Sequence, residues 1–234
     1  MAARIQVHCT FGLRSIILEL AEPFRRARGH GIDFHFDSTP GVVGRMERGE
    51  PADLILVARA IAVDLAARGH LPAAGIHDVT SSNIGVAIRA GAPRADISTP
   101  AAFKAFLLAQ RSVVYTDPAS GGASGVHFAT VLERLGIAAE MAPKSILNVG
   151  SYNSDLVVRG RADVAIQQIA EILPVAGVEL LGPLPGELQL ATIFVAALGK
   201  QPEAREAAMQ LVDYLKSAEA APIIARNGME QIAA

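Results

Sequence analysis

The chain has 234 residues and a formal net charge of −2, with 51% hydrophobic and 5% aromatic residues and a single cysteine, Cys9. That length allows one large domain or two lobes with sizeable cores. The balanced charge and scarce aromatics exclude a nucleic-acid surface, the lone cysteine excludes an intrachain disulfide or a thiolate metal cluster, and no apolar run reaches the ~18 residues that a membrane-spanning helix needs.

The N-terminal "MAARIQVHCTFG" passes directly into a strand pattern, without an apolar signal core or a cleavage site. It reads as cytoplasmic as written, and as periplasmic if a signal peptide has been removed ahead of it. "RIQVHC" alternates and predicts a strand. "LRSIILELAEPFRRARGHG" sets Ile16, Ile17, Leu20 and Phe24 at helical spacing and stops at Gly29. "IDFHFDS" predicts a second strand, "GVVGRMERGE" a short helix, "ADLILVA" a buried parallel strand, and "AIAVDLAARGHL" a helix ending at Gly69. This βαβαβα order implies a parallel sheet covered by helices.

Further on, "NIGVAIRAG" is a strand, "STPAAFKAFLLAQ" a helix with Pro100 in its first turn, "SVVYTD" a strand, and "SGVHFATVLERLG" a helix ending at Gly136. "MAPKSILNVGS" is a poor strand followed by a turn, "SYNSDLVVRGR" a helix, "ADVAIQQ" a strand and "IAEILP" a short helix. "VELLGPLPGEL" reads as a connector and "QLATIFVAALG" as a long strand. The remainder reads as two helices separated by Pro222. There is no internal repeat and no flexible linker. Long strands at 83–90 and 188–198 are expected to lie side by side and carry the chain out of one lobe and back.

The phrases "VHCTFGLRSIILELAEPFRRARG", "DSTPGVVGRMERGEPADLILVA", "VVRGRADVAIQQIAEILPVAGVELLGPLPGELQ" and "APIIARNGME" cover nearly the whole chain. They resemble the type 2 periplasmic-binding-protein fold, in its molybdate-binding-protein-like branch. The resemblance implies an α/β fold of two lobes, each a mainly parallel sheet flanked by helices, joined by two crossing strands. Lobe one would be 1–82 plus 192–234, and lobe two 83–191. A small anion would sit in the cleft, against helix N-termini and hydroxyls.

Against that branch's pattern, the first loop offers Thr10 and then Arg14, the second keeps Ser38 and Thr39, and the position of a ligand tyrosine falls on Gln167 or Gln168. An arginine with a carboxamide suits planar carboxylates, which a guanidinium forks with two parallel hydrogen bonds, better than a tetrahedral oxyanion. The chain is also similar to the aconitate isomerase group of this branch, which moves an allylic proton to interconvert cis- and trans-aconitate.

The candidate residues each have an ordinary structural explanation beside the functional one. In "PASGGASG", Ser120, Gly122 and Ser124 with adjacent N–H groups would cradle a carboxylate; alternatively Ser124 is simply a helix N-cap. The loop is neither a P-loop nor a dinucleotide fingerprint. Arg14 and Arg59 lie just beyond strand ends and would clamp carboxylates, or are solvated surface arginines. The six histidines show no metal-ligand pairing. His30, His70 and His77 read as surface turn residues and His8 as a packed core residue. His127 is a proton shuttle or a surface residue. Glu171 is a proton-transferring base whose proton affinity rises with desolvation, or an acid complementing a helix dipole.

Two functions follow as expectations. One is a cofactor-free, metal-free isomerase of a small polycarboxylate. The other is a non-catalytic solute-binding protein for molybdate or another small oxyanion, partnered by an ABC permease. Neither involves nucleic acid or membrane insertion.

Overall fold

The computed structural model describes residues 2–232. In chain order they form β1 (Arg4–Thr10), a 3₁₀ turn (Phe11–Leu13), α1 (Arg14–Arg28), β2 (Gly31–Asp37), α2 (Thr39–Glu47), β3 (Leu54–Ala58), α3 (Arg59–Ala67) and β4 (Ile76–Ser82). Then come β5 (Ile84–Arg89), α4 (Pro100–Ala109), β6 (Val113–Thr116), a 3₁₀ turn (Pro118–Ser120), α5 (Ala123–Arg134), α6 (Ala138–Met141), β7 (Ser145–Asn148), α7 (Asn153–Val158), β8 (Val164–Gln168), α8 (Ile169–Ile172) and β9 (Val178–Pro183). The chain ends with β10 (Thr192–Leu198), α9 (Arg205–Leu215), α10 (Ala221–Arg226) and β11 (Met229–Gln231). Two compact units result. Unit one holds the described residues up to Ser82 and from Ile193 on; unit two is Asn83–Thr192.

Unit one is built on a six-stranded sheet in the order β11-β4-β10-β3-β1-β2. β1 runs parallel to β2 and to β3, so Thr10 lies opposite Asp37 and Cys9 opposite Leu56. β10 is antiparallel to β3 and β11 to β4. The α1 stripe of Ile16, Ile17, Leu20 and Phe24 is buried, as its spacing requires. Phe24 meets Tyr214 of α9 edge-on at 5.5 Å between ring centroids. Glu19 of α1 accepts hydrogen bonds of 2.6 Å each from Arg226 Nε and Asn227 Nδ2. The C-terminal helices therefore pack on the N-terminal part of the chain.

Unit two carries a five-stranded sheet in the order β7-β6-β8-β5-β9. β6 is parallel to β7 and β8, whereas β5 runs antiparallel to β8 and β9. In each unit the parallel part is a block of three strands, and both arrangements are α/β with helices flanking the sheet.

Several elements differ from the sequence-based expectation. Residues 83–90 and 188–198 do not pair as neighbouring strands, although the Gln189 amide bonds the Ile84 N–H at 3.0 Å and its carbonyl at 2.8 Å. β5 lies between β8 and β9 in unit two, while β10 lies between β3 and β4 in unit one. "IHDVTSS" is a full strand, β4, and it includes His77. Its buried Thr80 and Ser82 hid the apolar alternation. "VELLGP" pairs as β9 rather than serving only as a connector; Pro183 is tolerated because β9 is an edge strand. Pro222 sits in the first turn of α10, where its missing N–H costs nothing, and does not separate the helices.

His8 is 3% exposed, with Nε2 3.2 Å from the Pro51 carbonyl and its ring 5.2 Å from that of His35. Burial first, and then the neighbouring His35 and Arg45, hold its pKa below the ordinary value. The folded protein thus resists a proton that the unfolded chain takes up below about pH 6.5. The stability that neutral His8 contributes is complete above that pH and is lost as pH falls through the lowered folded value. The melting temperature of the parent is expected to fall more steeply between about pH 7 and about pH 5 than that of His8→Gln; parallel slopes would contradict a buried neutral imidazole.

Candidate functional site

In unit two the parallel register of β6, β7 and β8 brings their C-terminal ends to one edge of the sheet. Thr116 pairs with Asn148, and Tyr115 with Ile166. Each strand end feeds the start of a helix: α5, α7 and α8 respectively. Because β5 is antiparallel, its first residue Ile84, opposite Gln168, lies at the same edge. Ser120, Gly122, Ser124, Gln167, Gln168 and Glu171 are all on or just beyond these strand ends.

The Gly-Ser loop has a defined local logic. Gly121 adopts φ 72°, a left-handed conformation that glycine enters without strain. Gly122, rather than Ser124, is the N-cap of α5, and no side chain caps this helix. Its first N–H groups are therefore left for an external acceptor. Ser124 is the second helical residue and is 5% exposed. The Ser120 hydroxyl donates to the Asp117 carbonyl at 2.6 Å, so its hydrogen is already engaged. A Cβ at Gly122 would meet Thr116 Cγ2 at 2.6 Å, and one at Gly125 would meet the Thr116 carbonyl oxygen at 2.0 Å. These glycines let α5 lie directly against the end of β6.

Gln167 and Gln168 are consecutive on β8 and have different surroundings. The wholly buried Gln167 accepts from the backbone N–H of Asn153 at 2.7 Å and of Ser154 at 3.3 Å, and donates to Ser154 Oγ at 2.8 Å. It serves the start of α7. Gln168 donates from Nε2 to Thr192 Oγ1 at 2.7 Å, while its Oε1 is buried without a hydrogen-bond partner. Gln168 is also the N-cap of α8. Glu171, the third residue of α8, accepts from the Gln168 backbone N–H, which is the reach-back half of a capping box. The residue retains some surface exposure, but its carboxyl is enclosed, and burial pushes the pKa up to about 7 against that bond. His127 is held with Nε2 2.8 Å from the Leu188 carbonyl, which fixes Nε2 as the donor.

In unit one the ends of the parallel strands present Thr10, Asp37 and Ala58, followed by the starts of α1, α2 and α3. The Thr10 hydroxyl donates to the Leu56 carbonyl at 3.3 Å. Arg14 opens α1, exposed, with its guanidinium 5.5 Å from the centroid of the Phe36 ring. It has no ion pair among the described residues. Arg59 opens α3 and is paired with Asp78. Ser38 caps α2 by accepting from the Gly41 N–H at 3.3 Å, and Thr39 is the first residue of that helix. The Asp37 carboxylate accepts from the Ser38 N–H at 2.8 Å and occupies the space where a Gly41 Cβ would be. The chain thus already places a carboxylate over the start of α2.

Sequence reasoning passed over Thr116, Asn148, Asn153 and Thr192. Asn153 donates to Thr116 Oγ1 at 3.3 Å and to the Ile166 carbonyl at 3.0 Å, and Asn148 donates to Asn153 Oδ1 at 3.0 Å. The available signal was polar residues at the last positions of three successive predicted strands. Among the described residues no group of three or more His, Cys, Asp or Glu side chains is placed to hold a metal ion, and no helix is long and apolar enough to cross a membrane.

The sequence that builds these two units of mixed sheet, with polar strand ends feeding helix starts, is of a solute-binding class of protein. The chain belongs to the bacterial extracellular solute-binding protein family, whose model matches residues 5–230. It is 31% identical to an aconitate isomerase from Pseudomonas sp. over 229 residues, 95% of this chain and 86% of that one. Among solved structures, the Azotobacter vinelandii periplasmic molybdate-binding protein superposes with a TM-score of 0.81 at 17% identity, covering 98% of this chain and 99% of its own. The sulfate-binding protein of Mycobacterium tuberculosis H37Rv reaches 0.77 at 16% identity, covering 98% and 87%.

The approach of α5 to β6 has a direct test. Alanine at an ordinary helix position stabilises by roughly 0.5–1 kcal/mol relative to glycine. Gly125→Ala is instead expected to destabilise by about 1–3 kcal/mol in denaturant unfolding, because the added methyl meets a backbone carbonyl. A variant as stable as the parent would contradict the close packing.

Proposed function

We propose that this chain binds a small polycarboxylate anion and interconverts two of its isomers by an allylic proton shift, in the manner of an aconitate isomerase. The observation that carries the reading is 31% identity to an aconitate isomerase across 95% of the chain. Glu171, with its carboxyl pushed up to about 7, supports the chemistry. An acid–base group with a pKa near the working pH takes a proton and returns it with similar ease. The carboxylate of Glu171 removes a proton from the methylene carbon flanked by a carboxylate and an alkene. The C–H electron pair moves into a dienolate, and the Glu171 carboxyl then gives the proton to the far carbon of the allyl system. Nothing is consumed and no electron acceptor is needed. His127 is the second candidate for proton transfer, through Nδ1, since Nε2 is held by Leu188.

Binding is assigned to donors at the strand ends and helix starts. Arg14, steadied on the face of Phe36, forks one carboxylate. The uncapped start of α5, at Gly122 and Ser124, takes a carboxylate on its N–H groups, and Ser120, whose hydroxyl hydrogen is held by the Asp117 carbonyl, acts by shaping the loop. Gln168 contributes its amide and Thr39 its hydroxyl, whereas Thr10 and Ser38 contribute theirs only by leaving the Leu56 carbonyl and the Asp37 carboxylate. Arg59 contributes only by leaving Asp78, and Gln167 acts by holding the start of α7. These donors stabilise the negative charge that develops on the dienolate.

A second reading, a non-catalytic solute-binding protein delivering an oxyanion to an ABC permease, is favoured by the fold likeness to the molybdate-binding protein. One experiment separates the two. The ultraviolet absorbance of cis- and trans-aconitate is followed with the parent and with Glu171→Gln, alongside a thermal-shift series with citrate and molybdate. The parent is expected to bring both isomers to one equilibrium mixture, and citrate to raise its melting temperature. Glu171→Gln keeps the capping contact, since glutamine also serves there. It is expected to lose at least about 100-fold in turnover, the scale of general acid–base catalysis, while still responding to citrate. Stabilisation by molybdate with neither aconitate isomer altered would favour the second reading.

A further inference from the structure

Thr192 is the last residue of unit two and begins β10. It is 7% exposed, and its hydroxyl oxygen accepts the 2.7 Å bond from Gln168 Nε2. Gln168 is itself 3% exposed, and its Oε1 lacks a partner. Buried amide oxygens are ordinarily paired, so this one calls for a donor. The amide has two orientations related by a half-turn. In the first, Nε2 donates one N–H to Thr192, and the carbonyl oxygen and one N–H are left over. In the second, the Thr192 O–H donates to Oε1 and the two N–H groups are left over. A threonine hydroxyl serves either way, because it both donates and accepts. The two left-over N–H groups of the second orientation match the lone pairs of a carboxylate, whereas the first turns its oxygen, beside a single N–H, toward the same place.

We propose that Thr192 is a positioning residue: its hydroxyl holds the Gln168 amide so that Nε2 faces a ligand carboxylate. This rests on the polycarboxylate reading, in which Gln168 touches the ligand. The backbone at this point is also fixed, because the Ile169 N–H donates to the Asn83 carbonyl at 2.9 Å and the Gln168 N–H to Glu171. The side-chain torsions of Gln168 therefore remain for Thr192 to set. A valine at 192 keeps the shape and removes the hydroxyl, freeing the amide to turn.

The test is a double-mutant cycle read by calorimetric titration with citrate. Thr192→Val is expected to weaken citrate binding at least ten-fold, and Thr192→Ser to restore most of that loss. Gln168→Met is expected to weaken binding to a similar degree. The double variant Thr192→Val/Gln168→Met should be no weaker than Gln168→Met alone, because Thr192 acts only through the amide. A merely structural role for Thr192 would instead make the two losses add. Should Thr192→Val not fold, Thr192→Ala takes its place in the cycle. Additive losses, or Thr192→Val binding citrate within two-fold of the parent, would overturn the proposal and leave the polycarboxylate reading intact. A parent that binds neither citrate nor aconitate would overturn both.

Discussion

Most of the candidate site in unit two depends on one buried amide. Gln167, at 0% exposure, accepts from the first two backbone N–H groups of α7 and donates to the Ser154 hydroxyl. A helix start buried without such a partner leaves polar groups unpaired, at a cost of roughly 1–3 kcal/mol for each. With Gln167 in place, Asn153 is fixed, and its amide reaches Thr116 on β6 and the Ile166 carbonyl on β8. Asn148 at the end of β7 then donates to Asn153. Three parallel strands are thereby held at their C-terminal ends by side chains as well as by the ladder, and the loop that opens α5 rests on a fixed Thr116.

The strand ends of unit one are arranged by charge. Asp37 holds the start of α2, and Arg45 lies 3.6 Å from it and 2.7 Å from Glu50. Asp78 holds Arg59. These pairs leave Arg14 with an aromatic partner and, among the described residues, no carboxylate, which suits the ligand contact proposed for it. A cation over a ring is oriented while its N–H groups stay available.

The alternating and helical patterns of β1, α1, β2, β3, β6, α5 and β8 were readable because their apolar residues face a core and their ends carry glycine or capping signals. β4 was not readable, because buried Thr80 and Ser82 are polar by type although not by position, and Thr80 Oγ1 finds the Met229 sulfur only once residues 149 apart in sequence have met. β9 was masked by Gly182 and Pro183, whose turn chemistry also suits an edge strand. At the site, "GGASG" and "QQIAE" announced polar strand ends, but alternation alone did not decide which glutamine serves the fold. That decision comes from the tertiary position of Asn153 and Ser154, whose backbone N–H groups meet Gln167. The placement of Asp37 over α2 depends on the absence of a Cβ at Gly41, a detail of backbone approach that residue type does not reveal.

Glu171 is the residue on which the proposed chemistry rests. It completes the start of α8, and the same enclosure raises its proton affinity into the neutral range. The most direct measurement of its role is proton NMR of cis- and trans-aconitate incubated with the protein in heavy water. Formation of the other isomer in initial turnover with little deuterium in its methylene position, and no isomerisation with Glu171→Gln although that variant still binds citrate, is the result expected of a proton returned by this carboxyl. Aconitate that binds but shows neither exchange nor isomerisation, or isomerises unchanged with Glu171→Gln, would contradict it.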